Sequence, residues 1–146
     1  MRSLTTLLAA SIFFAIAPTF GQPVAPDHPI VGTWKISLPV SGGTCDEIYY
    51  LRADGTGFVT SAEAQSEGEY EISDEPSEKG FYKWFDKVTK DNGKKDCLGG
   101  TVSVGHVATN YVVFHPSGDM LLVCSEERLE TCIGPLVRQK DKDNEA

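Results

Sequence analysis

Gly32-Thr33-Trp34 running into Lys35-Ile36-Ser37-Leu38 opens the part of this 146-residue chain that reads as folded, and Pro135-Leu136-Val137-Arg138 closes it. The first stretch is strand-like around a tryptophan. The second places an arginine in the last β-like run, just before a charged tail. Together they suggest that the two ends of one domain meet and close a barrel.

Working outward, residues 22–30 (Gln-Pro-Val-Ala-Pro-Asp-His-Pro-Ile) carry three prolines, which prevent a regular ladder, and read as a linker. Before them, Arg2 is the only charge ahead of Asp27, and residues 7–17 are apolar. That run is shorter than the roughly 20 residues a spanning helix needs, so residues 1–21 read as an export signal cleaved after Gly21. Residues 139–146 read as a disordered polar tail. No second long apolar run is present, so no membrane span is expected, and the location implied is periplasmic or secreted.

Without Arg2 the remaining chain carries 12 basic against 21 acidic residues, a net charge of −9. Nucleic acid is a poor partner for such a chain, because phosphate recognition rests on Lys and Arg. An acidic surface suits solubility or a basic partner. The four cysteines of an exported chain read as two disulfides, and four cysteines allow three pairings. None is spaced Cys-x-x-Cys.

Between the opening and closing stretches lie short β-like runs separated by turn residues. They are Val31–Leu38, Asp46–Arg52, Gly57–Ser61, Glu69–Ile72, Phe81–Thr89, Tyr111–His115, Met120–Cys124 and Ile133–Arg138. Asp54-Gly55 and Ser117-Gly118 are turn signals, the first of the type I′ kind. Residues 62–67 read as a helical turn or a polar loop, and Thr101–Gly105 as a ninth short strand or part of a loop. The expectation is an all-β chain, an antiparallel up-and-down barrel of about eight strands. In such a meander the longer connections, after the odd-numbered strands, rim one mouth. All four cysteines then fall at that end, which favours Cys45 with Cys97 and Cys124 with Cys132. A ninth strand at Thr101–Gly105 would reverse this parity.

Gly32-x-Trp34, eight strands and the late Arg138 resemble the lipocalin-like group of the calycin barrels. The order of Arg52-Ala53-Asp54-Gly55-Thr56-Gly57 and Tyr70-Glu71-Ile72 between them adds to the likeness. Asp91-Asn92-Gly93-Lys94 and Cys132-Ile133-Gly134-Pro135-Leu136 also look like small secreted bacterial proteins of unassigned function. The resemblance implies barrel closure by Trp34 lying across the closed end with Arg138 packed over it.

The sequence shows no catalytic constellation. His28, His106 and His115 stand at no metal-binding spacing, there is no Gly-x-Ser-x-Gly elbow, and residues 91–96 place lysines where calcium ligands would be needed. No enzyme activity, metal or cofactor is expected. Two binding readings remain, both for a monomer. In one, a small apolar or amphipathic ligand sits at the barrel mouth with Tyr82 and Trp84 as wall residues. In the other, the acidic run containing Glu67, Glu69 and Glu71 docks a basic exported protein, as an inhibitor or immunity-type factor would. Against the second stands the plainer expectation that this run and the lysines after it pair across a ladder.

Overall fold

The computed structural model describes residues 21–140. The expected export signal, apart from Gly21, and the tail from residue 141 lie outside the described residues. Eight strands follow in order: β1 (Gly32–Val40), β2 (Gly43–Leu51), β3 (Thr56–Ser61), β4 (Ala64–Ile72), β5 (Tyr82–Asp91), β6 (Val107–Phe114), β7 (Met120–Cys124) and β8 (Cys132–Gln139). Each pairs antiparallel with the next, and β8 returns to β1, so the sheet is a closed eight-stranded barrel. The arrangement is consistent with a calycin-like fold. A single 3-10 turn, Leu129–Thr131, precedes β8. Among the described residues no helix is long and apolar enough to cross a membrane.

Thr101–Gly105 forms no strand, so the parity of the meander is kept. The four odd-to-even connections share one end, and both expected disulfides form there: Cys45–Cys97 and Cys124–Cys132.

The rim differs from expectation. β1–β2 and β3–β4 are joined by two-residue turns at 41–42 and 62–63, with Ala62 at φ 51°. The residues read as a helical turn or polar loop therefore belong mostly to β4. The inward positions of this half of β4, Ala64, Ser66 and Gly68, have small side chains or none, which hid the strand. Only 92–106 and 125–131 are long at the mouth. At the other end, Gly55 N–H donates to the Arg52 carbonyl and Gly55 alone in that turn has positive φ (83°). This is a type I turn followed by a left-handed residue, not type I′.

The closed end is built as the motif implies. Trp34 and Arg138 are register partners, and the guanidinium carbon lies 4.2 Å from the centre of the fully buried indole. Arg138 donates to the carbonyls of Pro29 (2.6 Å), Val31 (2.9 Å) and Gly118 (3.2 Å). Trp34 Nε1 donates to the Ile30 carbonyl at 2.8 Å.

These bonds also show that residues 22–30, read as a linker, make no ladder but are not loose. They form a strap across the barrel base. Val24 N–H bonds the Ala53 carbonyl, and Val24, His28 and Ile30 are buried. His28 Nδ1 accepts from Ile30 N–H (3.1 Å), so its Nε2 carries the proton and donates to the Ser73 carbonyl (3.1 Å). Gln139, read as tail, extends β8.

Closure of the barrel is short. β1 meets β8 at three register positions: Thr33↔Gln139, Trp34↔Arg138 and Lys35↔Val137. Beyond Lys35 the two strands part, and a groove of about 480 Å³ lies between residues 36–39 and 133–137.

Candidate functional site

The strand alternation sorts the interior by height. Toward the closed end it is apolar: Trp34, Ile36, Leu51, Tyr70, Ile72, Trp84, Val112, Leu121 and Leu136 form one buried cluster. Toward the mouth the inward positions turn polar. Glu47, on β2, faces Ser61 across the ladder, and Asp86, on β5, faces Tyr70 and Ala108.

At mid-height a cavity of about 110 Å³ opens beside Tyr49, Leu51, Val59, Tyr70, Trp84 and Asp86. Its space comes from two register partners without side chains, Gly57 on β3 and Gly68 on β4. A Cβ on Gly68 would stand 2.8 Å from the Lys87 carbonyl oxygen. The ladder slips there by one residue, between Glu67 and Gly68, so that Gly68 opposes Val88 and Thr89 is left over.

Polar groups line and cap this space. Tyr49 OH donates to Glu47 Oε2 (2.8 Å), and Ser61 Oγ donates to Glu47 Oε1 (2.7 Å) while accepting from Cys97 N–H (2.9 Å). With the Cys45–Cys97 bridge, this chain holds the 92–106 loop over the barrel. Asn92 adds a second tether, donating to the Glu63 carbonyl at 2.9 Å. Burial pushes the Tyr49 hydroxyl well above the ordinary range, helped by the carboxylates of Glu47, Asp86 and Asp96. Burial likewise raises the Asp86 carboxyl, against the lowering pull of His106 and Asn110. Tyr70, whose hydroxyl donates to the Arg52 carbonyl (2.6 Å), is pushed up to about 12 by burial and by Asp54.

Of the two wall residues expected on β5, Trp84 lines the cavity and Tyr82 does not. Tyr82 packs edge-on against His28 (5.2 Å) and Phe114 (5.4 Å), near the strap. Asp86 is a further inward residue of β5 that the sequence reading did not single out. The signal was available, because Tyr82, Trp84, Asp86 and Val88 share one face by period-two alternation.

Glu67, Glu69 and Glu71 project from the outer face of β4. Glu67 pairs in register with Lys90, their charged atoms 3.3 Å apart, and Glu69 with Lys87. The acidic run is thus opposed by lysines across the ladder. On the outer face of β5, Phe85 carries the Lys83 ammonium 4.8 Å above its ring. The more apolar outer surface lies elsewhere, on β6–β8, where exposed Leu129 lines a groove of about 430 Å³ and exposed Ile133 and Val137 line the seam groove.

Comparison with known proteins returns no match: no family model, no curated protein and no solved structure matches the chain.

Proposed function

We propose that this is a non-catalytic, lipocalin-like binding protein, of the small secreted bacterial kind, that holds a small amphipathic ligand inside its barrel. The observation carrying the reading is the mid-height cavity, walled by Tyr49, Tyr70 and Trp84 with the Asp86 carboxyl on the same wall. A mostly apolar hollow with a few convergent polar groups is the usual form of a small-molecule site. The reading moves the ligand down from the mouth, because the 92–106 loop lies over that end. Two disulfides support an oxidising location, periplasmic or secreted. Docking of a basic protein on Glu67, Glu69 and Glu71 has weaker support, since Lys87 and Lys90 oppose that face.

A thermal-shift screen of small amphipathic molecules tests the proposal. Binders raise the melting temperature of the native protein, and Ser66→Leu, which fills the hollow, abolishes the rise while the protein stays folded. A screen in which no molecule stabilises the native protein overturns it.

A further inference from the structure

Inward register positions carry three carboxyl groups, Glu47, Asp86 and, opposite Ser66 nearer the mouth, Asp91, while the lysine that lines the cavity, Lys87, stands on the outer face of β5. Glu47 is satisfied by the hydroxyls of Tyr49 and Ser61. Asp86 is not. Its hydrogen-bond partner among the described residues is the Asn110 amide at 3.5 Å, at the limit of a useful bond. None of the ion pairs among the described residues includes Glu47 or Asp86. Beside Asp86 on the same face of β5 stands Trp84. This side chain lines the cavity and is only 6% exposed, yet its indole N–H is buried without a hydrogen-bond partner. An unpartnered buried donor costs about 1–3 kcal/mol. The wall of the hollow therefore presents an acceptor short of donors and a donor short of an acceptor, one strand repeat apart.

We infer that the cavity takes a compact organic cation: an ammonium that donates to the Asp86 carboxylate, on a short apolar body that lies against Trp84, Tyr49 and Tyr70 and carries one acceptor for the Trp84 N–H. Aromatic rings around an ammonium add cation–π attraction to the charge-assisted hydrogen bond. Size sets the limit. A dry cavity of about 150 Å³ admits benzene, so about 110 Å³ accommodates roughly five heavy atoms. The inference rests on the interior being the ligand site, and the test separates the two.

Four probes of similar size are titrated into the native protein: n-butylammonium, 3-amino-1-propanol, 1-butanol and propionate. The readout is the indole N–H resonance of Trp84 in a nitrogen–proton correlation spectrum, assigned with Trp84→Phe. Trp34, already bonded to Ile30, serves as the internal control. The two amines are expected to move the Trp84 signal with at least about ten-fold higher affinity than 1-butanol, and the amino alcohol to shift it furthest. Asp86→Asn, checked for an intact melting transition, removes that advantage and leaves 1-butanol unchanged. Equal binding of 1-butanol and the amines overturns the cation assignment while the interior site stands. Preference for propionate does the same. If no probe moves Trp84, the inference falls, while the proposed function is decided by the thermal-shift screen.

Discussion

At Gly32 two constraints coincide. Its φ of 139° lies where side chains are rarely accommodated, and a Cβ there would stand 2.6 Å from Arg138 Nη1. The glycine of the Gly-x-Trp pair thus leaves room for the guanidinium that covers Trp34. Gly32→Ala is expected to cost about 2–3 kcal/mol, through strain and displacement of Arg138, read as a lower urea midpoint at unchanged slope. A midpoint equal to the native one would refute this account. Asp86 carries the opposite kind of cost. Burial raises its folded-state carboxyl above the ordinary carboxylate range, so ionisation disfavours the fold. The penalty is absent below the unfolded value, grows as pH rises through the raised folded value, and then stays constant. Asp86→Asn is therefore expected to unfold at higher urea than the native protein at pH 7, the gap closing at about pH 3.5. A gap independent of pH would show that the carboxyl is not the cause. The closing pair was legible in the sequence because it combines a rare aromatic with a turn-forming glycine. Asp86 was not, because a carboxylate among lysines looks like a solvated charge until the alternation of its strand is followed.

The elements that tie the ends matter as much as the strands. Cys45–Cys97 encloses 52 residues of sequence separation and Cys124–Cys132 only 8. In the chain-entropy account the first stabilises by about 4 kcal/mol and the second by about 2.5 kcal/mol. Replacing each pair by serines should lower the urea midpoint in that order, and a larger loss from the short hairpin would contradict it. The first bridge also holds the 92–106 loop whose Cys97 N–H bonds Ser61, so its loss is expected to loosen the mouth as well. The strap is the element the sequence described least well. Three prolines correctly exclude a ladder for residues 22–30, but they do not exclude packing. What buries the segment is non-local: Arg138 gripping the carbonyls of Pro29 and Val31, and His28 reaching Ser73. None of these contacts has a local signature in the chain.

For the whole molecule, strand count, closure and cysteine pairing could be read from turn spacing and parity. These properties depend on order along the chain. The polar upper interior and its hollow could not, because they depend on register. A ladder slip at Gly68 and the meeting of Gly57 with Gly68 decide where side chains are missing. The parted seam between β1 and β8 has a further consequence at this scale. Main-chain groups left facing outward along a strand are a template for another chain, and fibrous or swapped assemblies begin at such margins. Here both margins carry a proline in the parted stretch, Pro39 and Pro135. Pro39, opposite Thr44 in the β1–β2 ladder, has no backbone hydrogen to offer along this margin. Pro39→Thr restores that donor and is expected to produce concentration-dependent oligomers in sedimentation velocity, while the native protein stays monomeric at the same loading. The prolines at the seam thus act as guards against polymerisation, letting the barrel keep a partly unzipped wall without recruiting its neighbours.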